Sequence, residues 1–475
     1  MLLGVLFNAA LGRTLGPGEF GLYFLISSFA AFALVLVDWG QQLFGIREIA
    51  RSPERGGTLL GTGLVLRVLG TALACGLTAL SAWALGFEGR TVGFASAFVA
   101  LNLPFFLAQN FGIIFRGRDR MGLDAAVSVC NRAAGLLLAL AALWLGLGLG
   151  GVVVSQGLAG AVALLLAAQL YRRIAVGPLH FSRSAARQIL AGGTALLVMV
   201  VAVSVQPYID AVLLSKLVPK DAVGWYGAAR SIYAMLSAPA VILGAAALPR
   251  LSRAFGDPRA FREEMATAER PMVWVAGLGA VGTWLFADVV IHLVYQKAGF
   301  APATTILGVF GLGLFLIFVD SLLGTALVAL GRTASFSMLK LATVALATVV
   351  ELFLIPYFQR RTGNGGLGVV TAFVACEPLI FAGMLVVIPR GLVGRPFVLN
   401  CARAIGSALL TGAVLRLVPT LTPWVAIPAC IALYTVTTLA VGLLRPDDVR
   451  GLGQLLVREL GSMGSSVQAK GSTPS

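Results

Sequence analysis

Several ionisable residues interrupt the most apolar stretches of this chain: the bases Arg67, Arg132, Arg230 and Lys340 and the acids Asp38, Asp210, Asp320, Glu351 and Glu377. At bilayer depth such a group costs about 2.5–3.5 kcal/mol or more, so each needs a partner or a function. Arginine supplies permanently charged, paired donors that suit phosphate oxygens where water is scarce. Carboxylates in the same setting act as gates or ion-coupling groups, or only neutralise a neighbouring base. Other chemistry is poorly represented. The two histidines, His180 and His292, stand alone, and the five cysteines (Cys75, Cys130, Cys376, Cys401 and Cys430) lie in apolar surroundings. Without paired or metal-ligand spacing they read as small core residues, and neither a disulfide framework nor a metal site is expected. No phosphate-binding glycine loop is present, so no nucleotide, no other cofactor and no catalytic residue is expected.

What must position these residues is a set of membrane helices. Hydrophobic residues make up 58% of the chain and charged residues 12%, with a mean hydropathy of +0.92; soluble domains carry roughly 25% charged residues. The formal charge of +15 comes in small clusters between apolar segments. That is the pattern of membrane topology, and it argues against nucleic acid as a partner. At about 20 apolar residues per crossing, about fourteen spans are predicted, near 1–15, 20–46, 58–86, 91–115, 121–147, 150–171, 188–215, 222–248, 271–296, 303–330, 334–356, 366–389, 398–418 and 423–444. The first run leads directly into Arg13 and a second span, so it is not read as a cleaved leader. It reaches only about 18 Å of the ~30 Å hydrocarbon, so that helix is short or its start lies upstream.

Most loop arginines fall on the side of Arg47, Arg116, Arg172, Arg250 and Arg332, while the other side holds Arg13, Arg90, Lys216, Lys220, Lys297, Arg360, Arg361 and Arg416. This bias predicts cytoplasmic N- and C-termini. Residues 445–475 combine a short amphipathic stretch, VRGLGQLLVREL, with a Ser/Gly-rich end expected to be partly disordered.

Depth along the helices tests which buried charges can meet. At 1.5 Å per residue, Asp38 and Arg67 lie at about 12 and 13.5 Å from the same face, and Asp210 and Arg230 at roughly 9 and 12 Å from the opposite one. Asp320 and Lys340 match more loosely, about 18 and 12 Å either side of Arg332, a gap a long lysine can close. Arg132, at about 16 Å, has no depth-matched neighbour. The pairs are read as neutralising, as gating or ion-coupling groups, or as direct phosphate contacts.

The chain also repeats a phrase. RTLGPGEFGLY at 13–23 and SKLVPKDAVGWYGAAR at 215–230 both spell Leu-x-Pro, an acid, then Gly-x-Tyr, each before an apolar run. Pro17 aligns with Pro219 at an offset of 202, and Tyr23 with Tyr226, Arg47 with Arg250 and Arg67 with Arg270 at 203. An ordered series of this kind implies duplication. An even-numbered unit re-enters the membrane in the same orientation, so two parallel six-helix repeats facing a central cavity are expected, with two further C-terminal helices. The expected divisions are 1–171 and 188–389 for the two lobes, 172–187 for a cytoplasmic connection, 398–444 for the extra helices and 445–475 for the tail.

RTLGPGEFGLY, DWGQQLFGIREIAR and IDAVLLSKLVPKDAVGWYGAARSIY…LPRLSR resemble the polysaccharide flippases of the multidrug/oligosaccharidyl-lipid/polysaccharide (MOP) exporter superfamily, the Wzx-type O-antigen and exopolysaccharide transporters. The resemblance runs in register to about residue 390 and is loose beyond it. It implies a transporter in the bacterial cytoplasmic (inner) membrane that moves a polyprenyl-pyrophosphate oligosaccharide to the outer leaflet by alternating access. Membrane lipids and polysaccharide polymerase or assembly proteins are the further partners it implies. A cationic cavity is a family expectation, for which Arg132, Arg230, Arg67 and Arg13 are the candidates. Asp38, Asp210, Asp320, Lys340 and Glu377 are the candidate gating or coupling groups. Two rival readings stay open. A multidrug exporter of the same superfamily would want an acid in the first helix, where only Asn8 stands. A membrane glycosyltransferase or polymerase on the same lipid carrier would need catalytic groups on a sizeable outer loop, and these loops are short.

Overall fold

A computed structural model describes residues 2–174, 178–296, 298–418 and 422–444. Within them the regular elements are helices: α1 (Leu2–Asp38), α2 (Gln41–Arg51), α3 (Gly56–Ala84), α4 (Gly89–Leu101), α5 (Leu103–Gly117), α6 (Met121–Trp144), α7 (Gly148–Arg172), α8 (Arg183–Ser204), α9 (Gln206–Leu217), α10 (Lys220–Arg253), α11 (Pro258–Tyr295), α12 (Ala303–Ala329), α13 (Thr333–Thr362), α14 (Gly366–Val387), α15 (Arg395–Arg416) and α16 (Pro423–Ala440). In hydrocarbon no water satisfies the backbone, so apolar runs of this length take up helix, which pairs every peptide group internally. Prolines sit in the first turns of α5, α9, α15 and α16. There their missing N–H has no intrahelical acceptor to lose.

Among the described residues twelve stretches are long and apolar enough to cross a membrane, or thirteen when the bent pair Arg183–Thr194 and Leu196–Ala202 counts as one span. The first two of the fourteen spans expected from the sequence run within one helical stretch, α1, which this count takes as one. Helical geometry breaks in α1 only at Gly16 (φ 78°, ψ 175°), followed by Pro17. A positive φ of this kind is open to glycine at little cost. The rings of Phe7 and Tyr23 nevertheless stand 5.7 Å apart, whereas sixteen residues of straight helix would separate them by about 24 Å. The chain therefore doubles back at Gly16. The first arm is only about 21 Å long, short of the ~30 Å hydrocarbon. The amphipathic segment expected after residue 444 lies outside the described residues, as does Lys297.

Packing gathers the helices into two compact units whose boundary cuts α10, α11, α12 and α14 within their lengths. The first, Met1–Leu236 with Ala287–Phe310 and Arg332–Gly383, contains two apolar clusters. One is built on Leu22, Ile26, Ala33, Phe98 and Phe106, the other on Leu59, Phe111, Ile114 and Phe115. The second unit, Ser237–Phe286 with Gly311–Gly331 and the chain from Met384, packs Tyr434, Val281 and Cys430 against Trp274, Leu278 and Phe286.

Candidate functional site

Two polar clusters form in the first unit, one in each repeat. In the first repeat Asp38 ends α1, and the chain turns through Trp39 (φ 44°) and Gly40 (φ 70°) into α2. The Asp38 carboxylate accepts from Arg67 Nη2 at 2.6 Å, while Arg67 Nη1 donates to the Phe106 carbonyl at 2.7 Å. Arg67 is fully buried, so it ties α3 to α1 and α5. The depth-matched pair of the sequence is present. Beside it Arg116 pairs with Asp124 at 3.4 Å and donates to Gln42, which donates in turn to Gln109 at 2.8 Å.

In the second repeat Asp210 on α9 accepts a hydrogen bond from the Tyr226 hydroxyl of α10 at 2.8 Å. Arg230, one turn further on, lies over the Tyr233 ring at 5.3 Å and the Phe310 ring at 5.9 Å. The expected Asp210–Arg230 pair is thus brought into one neighbourhood without a direct ion pair among the described contacts. Glu351 of α13 lies near Asp210, is completely buried, and neither of its oxygens meets a donor among the described residues. Glu351 and Tyr226 were absent from the sequence-derived site. Their signal was available: Glu351 is an acid inside an apolar run, and Tyr226 belongs to the repeated phrase.

The repeated phrases themselves meet. A Cβ on Gly18 would lie 2.8 Å from the Asp221 carboxylate, one on Gly21 2.8 Å from the Gly224 amide nitrogen, and one on Gly227 2.7 Å from the Phe24 ring. Each pair is 203 positions apart, the offset of the repeat. Successive equivalents meeting in register mean that the second arm of α1 and the start of α10 run parallel about a local two-fold axis. A second seam lies at the other end of the same arm. There Gly40 and Gly193 pack against each other's backbone neighbourhood, and Trp39 Nε1 donates to Thr194 at 3.3 Å. From Gly21 to Trp39 is about 27 Å of helix, close to the hydrocarbon thickness.

Between the seams α1, α3 and α9 enclose a cavity of about 450 Å³ walled by Phe29, Phe32, Leu36, Leu77, Tyr208 and Leu213. Its walls carry no charged side chain. Arg230 stands within electrostatic reach of Tyr208 in the wall.

The remaining candidates separate by what they touch. Arg13 donates to the carbonyls of Leu293 (2.7 Å) and Val294 (2.8 Å), the last turn of α11. It therefore caps a helix end whose carbonyls have no intrahelical partner. Arg132 is exposed, on the face of α6 that also presents Val129 and Leu140. Lys340, near the Phe336 ring, and Glu377 are buried in the first unit, and Asp320 is buried in the second.

The sequence pattern of the polysaccharide biosynthesis protein family matches residues 1–255. No curated protein matches the chain by sequence. Among solved structures the chain is similar to the lipid II flippase MurJ in an inward closed conformation, at 13% identity over 97% of each chain with a TM-score of 0.74. It is also similar to an inward-facing multidrug resistance MATE family transporter of the MOP superfamily, at 16% identity over 81% of this chain and 92% of that one with a TM-score of 0.66. An outward-facing MATE family transporter gives 17% identity, 81% and 90% coverage and a TM-score of 0.58. At these identities the likeness is one of fold.

Proposed function

The chain belongs to the polysaccharide biosynthesis protein family, and from that premise we propose that it carries a lipid-linked oligosaccharide, a polyprenyl-pyrophosphate glycan, from the inner to the outer leaflet by alternating access. The observation that carries this reading is a cavity beside α1 with a glycine seam toward each end of that helix arm. Opening the Gly21–Gly224 seam while the Gly40–Gly193 seam holds exposes the cavity to one side of the membrane, and the reverse exposes it to the other. Glycines suit such closures because backbones approach closely without a side chain to withdraw.

In this reading Arg230, within electrostatic reach of Tyr208 in the cavity wall, and Arg132, whose donors have no described partner, contact the pyrophosphate, whereas Arg67 and Arg13 hold the scaffold. Asp210 with Glu351 couples movement to an ion gradient. Asp38, Asp320, Lys340 and Glu377 bias the gates. The lobes divide as 1–171 and 188–389, with polymerase or assembly proteins receiving the product and both termini on the cytoplasmic side of the inner membrane.

The test is a deletion strain. Lipid-linked glycan should accumulate in the inner leaflet while surface polysaccharide is lost; unchanged surface glycan in a strain without a paralogue overturns the reading. The apolar cavity wall favours a second reading, export of lipophilic drugs, and that reading requires raised drug susceptibility with normal glycan instead.

A further inference from the structure

The second unit contains a larger opening that the transport reading does not use. About 980 Å³ in volume, it is lined by Arg270 within α11, by the end of α14 and the start of α15, and by the turn between α14 and α15. Four arginines enter it: Arg270 and Arg403, half-buried, and Arg390 and Arg395, exposed. None forms an ion pair within 4.0 Å among the described residues. The neighbouring acid, Glu269, is buried and accepts from Asn400 Nδ2 at 2.8 Å. Asn400 Oδ1 in turn is the one described acceptor for Arg403, at a long 3.4 Å.

Two further features bear on what binds there. The first turn of α15 has Gly394 as its N-cap, with no side-chain cap hydrogen bond, and Gly394, Arg395 and Pro396 all line the opening. Pro396 has no N–H and the Phe397 N–H donates to the Gly394 carbonyl at 3.1 Å, which leaves the Arg395 amide at this helix start, where negative charge is favoured. The same opening is also apolar, through Leu385, Ile388, Val393, Val398 and Leu399. Val398 and Leu399 are 55% and 50% exposed. Four cations and exposed aliphatic side chains together match a molecule with an anionic head and a hydrocarbon tail.

We propose that this opening binds the phosphate-bearing head of a membrane lipid, with Arg270 and Arg403 gripping the phosphate oxygens, Arg390 and Arg395 screening its charge, and the tail lying along Val398 and Leu399. Guanidinium forks are matched to phosphate by paired, charge-assisted hydrogen bonds. The head is either that of an abundant anionic phospholipid or the pyrophosphate of a polyprenyl carrier. Only the second source bears on transport, and the site stands without it.

The experiment is lipid binding to the purified full chain in neutral detergent, read by native mass spectrometry and by thermal stabilisation. The probes are phosphatidylglycerol, phosphatidylcholine and a short-chain polyprenyl pyrophosphate. Phosphatidylglycerol or the pyrophosphate lipid should bind and stabilise, phosphatidylcholine should not, and added salt should weaken the binding. Arg270→Gln with Arg403→Gln should bind about tenfold or more weakly, the scale of losing charged hydrogen bonds. Arg390→Gln with Arg395→Gln alters exposed positions only and should weaken binding in the same direction even if the first pair folds poorly. Preference for phosphatidylglycerol assigns bulk lipid, and preference for the pyrophosphate lipid assigns the carrier. Equal binding of phosphatidylcholine, or unchanged affinity in both double variants, overturns the proposal. Failure of the flippase reading would leave the phosphatidylglycerol result intact.

Discussion

Asp38 and Arg67, twenty-nine positions apart, meet at 2.6 Å, with the arginine wholly buried and a fifth of the aspartate side chain still exposed. Removing one member leaves the other charge buried without compensation, a loss of about 3–5 kcal/mol when burial is complete. Asp38→Asn, which strands the wholly buried guanidinium, should therefore reduce abundance and unfolding temperature in detergent, and Arg67→Met should do so less because the carboxylate it strands is partly wet. The double variant should be milder than the sum, since coupled residues depart from additivity. Strict additivity would break the claimed coupling.

At the Gly21–Gly224 seam, Gly21→Ala introduces a methyl against the Lys220 carbonyl and the Gly224 backbone. Overpacking of this kind costs typically about 1–3 kcal/mol, and here the cost falls on one closed state. Thiol labelling of a reporter cysteine at Asp221 should rise and transport should fall. Conversely, Gly18→Cys with Asp221→Cys should form a disulfide on oxidation that stops transport, and reduction should restore it. Transport that continues through the cross-linked seam would remove the seam from the cycle.

For the acid pair, Glu351→Gln supplies an amide donor to the Asp210 oxygen that has none in the described contacts. Abundance should hold or rise, while transport should stop responding when a protonophore or ionophore collapses the ion gradient. A variant whose transport still follows the gradient would rule the pair out as the coupling site.

Arg230→Lys retains charge but loses the planar group over Tyr233 and Phe310 and the paired donors for phosphate. Transport should drop about tenfold, the scale of one charged hydrogen bond, with little change in abundance. Arg132→Ala, at an exposed position, should likewise lower transport without lowering abundance. Full activity in the alanine variant would exclude Arg132 from substrate contact.

How far these features were legible in the sequence depends on which coordinate each one needed. Depth in the membrane is nearly a sequence quantity, because helices advance by a fixed rise, and it brought Asp38 to Arg67 correctly. Angle around the helix axis is not, and so Asp210 proved to face the Tyr226 hydroxyl and Glu351 while Arg230 turned onto aromatic rings. The repeat was visible as an offset, yet nothing in one dimension said that equivalents would touch. The acceptors of Arg13, the carbonyls of Leu293 and Val294, lie some 280 positions away and become neighbours only on folding. The predicted division between the first two runs falls where a single glycine turns the chain within α1.

The seam at the repeat axis also constrains how this chain changes with time. If two identical copies packed about such an axis, each residue on it would face its own duplicate, and every substitution would appear on both sides at once. Glycine is then the safest occupant, as Gly21 opposite Gly224 illustrates. Joining the copies in one polypeptide lifts that restriction, because the two sides are encoded separately. Phe24 opposite Gly227 and Gly18 opposite Asp221 use the freedom: a bulky group is matched with a hollow, and a charge with a space, as no strictly symmetric pair can arrange. The asymmetry lets one side of the axis be tuned without altering the other.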